Sequence, residues 1–347
     1  MDLAYFFKET IDREASDLHL VEGSVPAIRV RGELIKLKEK LIPFGELRFA
    51  VFSVLHKDVI ERFRRKKDID LSMEFFDHRF RINLHYQGGK IGLAARLIPK
   101  DIPRPDDIDF TEVIYKMTHL KDGLILVTGP SGVGKSTTLA TMIDVINAER
   151  RSHIITIEDP VEYIFHDKQS IVEQRQLGRD TVDFASALKY ALRQDPNVIM
   201  VGEMRDRETI GAALTAAKTG HLVLSTLHTT TSAETVERVI DLFPPQFQSQ
   251  IASQLASVLR GVVSQQLLPK IDGGLIAARE IMINNNAVAN MIRQDKVEQI
   301  YSTIESSGED GMITMNKAID NLRKKGIISE ATAHNRKRDL STRAVYY

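Results

Sequence analysis

"GLILVTGPSGVGKSTTLATMI", Gly123 to Ile143, places an apolar strand, a glycine-rich turn and a helical pattern in direct succession. Gly129, Gly134, Lys135 and Ser136 stand in the spacing G-x-x-x-x-G-K-[ST]. Glycines let the backbone curl until its N–H groups point inward at phosphate oxygens. The helix that starts near Lys135 adds its positive N-terminal end. The stretch therefore predicts a nucleotide site, with Lys135 reaching the β- and γ-phosphates and Ser136 holding Mg²⁺ through its hydroxyl. Ser131, Gly132 and Thr137 lie in the same stretch and join the nucleotide-binding set. The competing reading is a chance match in a glycine-rich turn. The strand before the motif and the helix after it are the context that favours the nucleotide site over this.

Working outward, "HIITIED", "VIMVGE" and "HLVLSTLH" are further nearly continuous apolar runs, separated by amphipathic stretches. Strands of this texture indicate a parallel sheet covered on both faces. In such sheets ligands bind outside the carboxyl ends of the strands. Two of these ends carry acids: Glu203 after "VIMVG", and Glu158 and Asp159 after "IITI", with Glu162 three residues beyond Asp159. Each could instead be a solvated loop acid or a helix cap, and Asp159-Pro160 is a common turn opening. His221 opens the third run and His228 closes it beside the expected site, where His228 can sense the γ-phosphate. A histidine metal site is poorly supported, because no H-x-x-x-H pattern occurs.

Bulk properties narrow the classes. The 347 residues suggest two or three domains. The formal net charge is zero, which argues against a nucleic-acid partner, since such proteins carry a basic footprint. There is no cysteine, hence no disulfide and no thiolate metal site. No run approaches the length of a membrane span, and the acidic N-terminus does not resemble a signal peptide. A cytoplasmic protein with at most a peripheral membrane role is expected. Residues 1–100 read as a small α/β module, with a helix over "LAYFFKETIDRE", strands around Gly23, Pro26 and Gly32, a helical stretch from about Phe44 to Phe63, and three or four strands with a Gly-Gly turn. Residues 101–112 read as a proline-containing linker, 113–275 as the ATPase core, and 276–347 as helical, with Met312, Met315, Ile319 and Leu322 on one stripe and a frayed tail from His334.

Together "GPSGVGKST", "TIEDPVEY", "VGEMRD" and "TGHLVLSTLHT", in this order, resemble the four boxes of the secretion-superfamily ATPases of type II secretion and type IV pilus systems. "ASDLHL", "IRVRGEL" and "RFRINLHY" extend the resemblance over nearly the whole chain. The resemblance implies a PAS-like N-terminal domain, a RecA-like ATPase domain with a helical C-terminal extension, ATP and Mg²⁺ as cofactors, and a homohexamer. It implies that Glu203 positions Mg²⁺, partly through water, that Glu162 is the general base, and that His221 and His228 are the His-box residues, His221 among those that bind the nucleotide. It further implies that Arg81 and Arg96 approach the γ-phosphate. The implied partner is the inner-membrane pilus platform protein, met at the cytoplasmic face of the membrane.

Two features favour the pilus-retraction branch. The chain is expected to carry no extra module before its N-terminal domain, and the zinc-binding tetracysteine of assembly and secretion ATPases is missing. "AVANMI", Ala287 to Ile292, occupies the place of the retraction motif AIRNLI, with Ala289 standing for its arginine. An accessory retraction ATPase is therefore the alternative, and an assembly or secretion ATPase the next. A RecA-like DNA translocase and a non-catalytic nucleotide-gated scaffold are rivals of other classes. The neutral charge counts against the first, and the intact Lys135, Ser136, Glu162 and Glu203 against the second.

Overall fold

The computed structural model describes residues 1–30 and 32–338. They divide into two compact units: Met1–Asp101 with Pro160–Ile164, and Ile102–Asp159 with Phe165 onward.

The first unit is a fully antiparallel six-stranded sheet with helices α1 (Leu3–Asp12), α2 (Glu46–Val54) and α3 (Lys57–Lys66). Its strands are β1 (Asp17–Val21), β2 (Ala27–Val30), β3 (Glu33–Lys36), β4 (Asp68–Phe75), β5 (His78–Gln87) and β6 (Lys90–Leu97), in the order β3-β2-β1-β6-β5-β4. Alternation decides the faces: Phe80, Ile82 and Leu84 of β5 are buried, so Arg79, Arg81 and Asn83 lie on the other face. Phe7 of α1 stacks on Phe75 at 3.9 Å and meets Phe80 edge-on at 4.7 Å. The Gly88-Gly89 turn forms as expected, both residues at positive φ. The β4–β5 turn uses Phe76 and Asp77 at positive φ instead, which glycine-based reading does not reveal.

The single helix expected from Phe44 to Phe63 is two helices. Leu55 and His56 adopt extended backbone between them. At 3.6 residues per turn, an unbroken helix would put Phe63 about 160° away from Leu47. The break lets Leu47 and Val51 stay buried while Phe63 stacks on Tyr86 of β5 at 4.8 Å.

The second unit contains β7 (Gly123–Thr128), β8 (His153–Glu158), β9 (Ile171–Gln176), β10 (Val198–Val201), β11 (Leu222–Leu227), β12 (Leu259–Pro269) and β13 (Leu275–Ile283). The order is β13-β12-β7-β11-β10-β8-β9, with every pair parallel except β12–β13. Every residue of β7, β10 and β11 is buried, as a sheet covered on both faces requires. The helices up to β12 are α4 (Glu112–Thr118), α5 (Lys135–Glu149), α6 (Phe184–Ala191), α7 (Arg207–Lys218), α8 (Ser232–Asp241) and α9 (Pro245–Val258).

The expected helical extension from residue 276 begins later. Residues 275–283 are a strand, paired along nine residues with β12. "LIAAREIMI" contains several good helix formers, and pairing with β12 overrides that preference. The helices α10 (Asn286–Arg293), α11 (Ile300–Ser306), α12 (Met315–Lys324) and α13 (Glu330–Arg336) then follow. Met312, Met315, Ile319 and Leu322 are buried as the stripe predicts. His334 to Arg336 are helical rather than frayed, Arg338 pairs with Glu280 at 3.2 Å, and residues 339–347 of the expected tail lie outside the described residues.

The linker is anchored rather than loose. Thr141 Oγ1 donates to Pro103 O at 3.1 Å, and the Arg279 guanidinium donates to Asp109 O at 2.9 Å. Burial pulls Arg279 down to about 10, against the opposing pull of Asp109. Residues from Ile102 onward thus belong to the second unit, and the unit boundary falls at the start of the expected linker.

Candidate functional site

The phosphate loop leaves β7 at Gly129. A Cβ there would stand 2.5 Å from Gln265 O and 2.9 Å from Val133 Cγ2, at φ +142°. No other residue fits this close approach of loop and β12. Gln265 then fastens the loop from the side: its Nε2 donates to Val133 O at 2.7 Å, and its Oε1 accepts from Thr138 Oγ1 at 3.0 Å. Gly134, at φ +86°, is the N-cap of α5 and aims the helix start at the loop's interior. Gly129→Ala is expected to lower the melting temperature by several degrees and to abolish nucleotide binding. Strain of this kind costs about 1–3 kcal/mol before the clash is relieved. Thermal unfolding and fluorescent-nucleotide titration check this, and unchanged values in both would refute the packing argument.

Lys135 is buried, and its ammonium donates to Gly129 O at 2.7 Å and Pro130 O at 2.9 Å. His228 Nδ1 is 3.5 Å from the same Nζ, and His228 Nε2 is 3.0 Å from Glu203 Oε1. A ring with a cation at Nδ1 and a carboxylate at Nε2 is best served by the tautomer protonated at Nε2. The other carboxylate oxygen, Glu203 Oε2, is 2.8 Å from Arg205 NH2. Lys135, His228, Glu203 and Arg205 are therefore one hydrogen-bonded chain at the carboxyl ends of β7, β10 and β11.

Backbone packing explains why a glycine precedes Glu203. A Cβ at Gly202 would come within 3.3 Å of Ile157 O and 3.5 Å of Glu158 Cα, on the neighbouring β8. The loop after β10 is pinned by Thr226 Oγ1 donating to Gly202 O at 2.6 Å, and by Met204 N donating to Thr226 O at 3.2 Å. Burial by itself pushes the Glu203 carboxyl up. The hydrogen bond and charge of Arg205, with His228 and Lys135, outweigh it and hold the carboxyl below its ordinary value. Glu203 in turn raises Arg205, with a smaller contribution from Asp159. Glu203 is thus a carboxylate kept ionised beside the phosphate loop.

Those donors fit Mg²⁺. Among the described residues no group of three or more His, Cys, Asp or Glu side chains can hold a metal by itself. Mg²⁺ characteristically binds through one or two protein oxygens plus substrate phosphates and waters, and Ser136 and Glu203 supply such oxygens.

Other expected residues are placed as follows. Glu158 is buried and accepts from Thr156 Oγ1 at 2.6 Å and Gln174 Nε2 at 3.1 Å. Asp159 is exposed. Glu162 is half-buried and falls with the first unit. His221 is not in the cluster. It sits at the amino end of β11, with Nδ1 3.0 Å from Ala216 O, and six strand residues put it about 20 Å from His228. Arg81 and Arg96 are direct partners across β5 and β6. Like charges placed so are unfavourable unless an anion meets them. Arg96 Nε donates to Asp17 Oδ1 at 2.9 Å.

Arg205 and Gln265 were not anticipated from sequence. Arg205 had a signal, a cation two residues beyond the strand-end acid. Gln265 had only a weak one, the polar run Ser264-Gln265-Gln266 inside a largely apolar strand, which names no partner.

Residues 107–340 match the family described as Type II/IV secretion system protein. The chain is 41% identical over 337 residues to the type IV pilus retraction ATPase PilT of Pseudomonas aeruginosa, covering 97% of this chain and 98% of that one. It is 35% identical over 338 residues to the type IV pilus ATPase PilU of the same organism, covering 96% and 88%. Its fold matches a crystal structure of the pilus retraction motor PilT with bound ADP, at TM-score 0.92 and 43% identity over 99% of this chain and 98% of that one. Family match, full-length relatives and fold agree: this chain belongs to the type II/IV secretion system protein family.

Proposed function

We propose that this chain is an ATP-hydrolysing motor that powers retraction of type IV pili. The observation that carries the reading is the Lys135–His228–Glu203–Arg205 chain at the phosphate loop, in a protein similar over nearly its full length to a retraction ATPase. Phosphoryl transfer to water needs positioning and charge stabilisation more than covalent chemistry. The loop N–H groups and Lys135 hold the phosphates. His228, fixed between Lys135 and Glu203, reports the γ-phosphate's presence to the carboxylate. Ser136 and Glu203 would hold Mg²⁺, Glu203 partly through water, and the ion would supply neutralisation of phosphate charge. Glu162 takes the proton of the attacking water, and Arg81 and Arg96 spread their forks over the γ-phosphate as charge builds. The working form is a homohexamer acting on an inner-membrane platform protein at the cytoplasmic face. Among the described residues no helix is long and apolar enough to cross a membrane.

The test is steady-state ATPase activity of wild type beside Glu162→Gln, with light scattering on both. Expected are turnover by wild type, nucleotide binding with turnover reduced about 100-fold or more in the variant, and hexamer mass for both. Full activity in Glu162→Gln removes the base assignment, and an inactive wild type removes the motor.

One observation supports an accessory retraction ATPase as a second reading. Ala289, where the retraction motif has arginine, is only 7% exposed and packs in the core of the second unit. Deletion separates the readings: loss of a principal retraction motor leaves extra surface pili, and loss of an accessory one leaves pilus number near normal.

A further inference from the structure

The first unit carries a surface that the ATP chemistry does not use. Residues 36–67 hold ten Lys and Arg against four Asp and Glu, a net +6 in a chain whose net charge is zero. The remainder of the protein is therefore net negative, and this stretch concentrates the opposite sign. Its cations are interleaved with exposed apolar side chains: Leu41 is 59% exposed, Phe44 69% and Phe49 79%.

Local structure sets Phe44 and Phe52 beside cations of α2 and α3. Gly45, left-handed at φ 85°, is the N-cap of α2 and leaves Phe44 just outside the first turn. The Arg48 guanidinium lies 6.0 Å from the Phe44 ring centre. Phe49 and Phe52 are neighbours one turn apart on α2, and Arg64 of α3 lies 5.5 Å over the Phe52 ring. The buried Glu22 carboxylate accepts from Gly45 N at 3.0 Å, Arg48 N at 3.2 Å and Ile91 N at 3.3 Å. The start of α2, and so the two exposed phenylalanines, is held in place from beneath.

A single exposed apolar residue needs no explanation, and a basic helix face is commonly just solvated. Aromatic and aliphatic tips set among lysines and arginines are a different pattern. They match what lies at a membrane surface: a headgroup layer of negative charge over an apolar boundary. Here the Arg48 guanidinium is tied to Gly89 O at 3.1 Å beside the Phe44 ring, and the Arg64 guanidinium lies over the Phe52 ring, so cation and aromatic are held side by side. We propose that this face docks directly on an anionic bilayer, with Leu41, Phe44 and Phe49 entering the headgroup boundary and Lys38, Lys40, Arg64 and Arg65 meeting the headgroups. The inference goes beyond the motor assignment and does not depend on it.

The full-length protein, incubated with vesicles of phosphatidylcholine alone or mixed with phosphatidylglycerol, is sedimented. Binding is expected to the mixed vesicles only, and to fall as salt shortens the screening length. Each juxtamembrane cation contributes about 1 kcal/mol, a factor of about five. Lys38→Gln with Lys40→Gln should therefore weaken binding about 25-fold. Phe44→Ser with Phe49→Ser should weaken it about tenfold or more, from lost aromatic burial, at unchanged ATPase turnover and mass. Wild type that ignores phosphatidylglycerol overturns the proposal, as does binding to single-stranded DNA in place of vesicles. A fall in light-scattering mass of the Phe44/Phe49 variant also overturns it, by making the face a contact between copies.

Discussion

Lys135→Ala is expected to lose at least about 100-fold in ATP turnover. Its ammonium is buried in the loop, held by the carbonyls of Gly129 and Pro130 and facing His228. A preorganised donor of this kind, aimed where charge develops, is worth about 10²–10³ in rate when removed. Loss of one side chain also frees His228 Nδ1 from its cation, so the ring loses the contact that selects its tautomer. The comparison is phosphate release by wild type, Lys135→Ala and Lys135→Gln, with thermal unfolding to show that each is folded. A folded Lys135→Ala that keeps more than about a tenth of wild-type turnover would remove this lysine from the phosphate site.

Glu203→Gln is expected to cost a comparable factor, about 10²–10³. The reason is electrostatic, since the amide keeps the size but not the charge that faces Arg205 and His228. Arg205→Ala gives the sharper test, because it leaves the carboxylate in place and removes what keeps it ionised. Burial pushes Glu203 up, and Arg205 is the first of the groups that pull it down. Without Arg205 the acid limb of the pH–rate profile should move to higher pH, with kcat at neutral pH falling less than in Glu203→Gln. An acid limb that stays where wild type has it would detach Arg205 from the carboxylate.

Stability follows the same sign. The folded value of Glu203 lies below the ordinary value of a glutamate carboxyl. Its ionised form therefore stabilises the fold above the unfolded value, and that contribution is lost as pH falls through the folded value. Glu203→Gln should flatten the acid side of the melting-temperature profile.

The phosphate loop was legible in the sequence because its backbone curl demands particular residues at fixed spacing. Gly129, Gly134, Lys135 and Ser136 stand at positions that tolerate few residue types, so spacing within a strand–turn–helix context located the loop. The parallel sheet was legible for a similar reason: strands buried on both faces must be apolar throughout, as "GLILVT" and "HLVLSTL" are. The strand-end acid Glu203 followed from the same rule about carboxyl ends. The roles proposed for Glu162, Arg81 and Arg96 rest on family resemblance, not on any local requirement visible in the residues.

Tertiary structure alone decided the rest. "LIAAREIMI" became β13 because an edge of β12 was there to pair with, and cross-strand pairing outweighs a few tenths of a kcal/mol of helix preference per residue. The helix over 44–63 broke at Leu55 because one straight helix cannot turn both Leu47 and Phe63 inward. His221 and His228 share one motif, but the length of the strand between them sets them at opposite ends, and only His228 reaches Lys135 and Glu203. Gln265 became the loop's fastener because β12 lies beside β7, an adjacency that residues 136 positions apart in sequence do not announce. Local chemistry is written in short stretches of sequence. Which stretches meet is set by the summed packing of the whole chain, and no short stretch contains that.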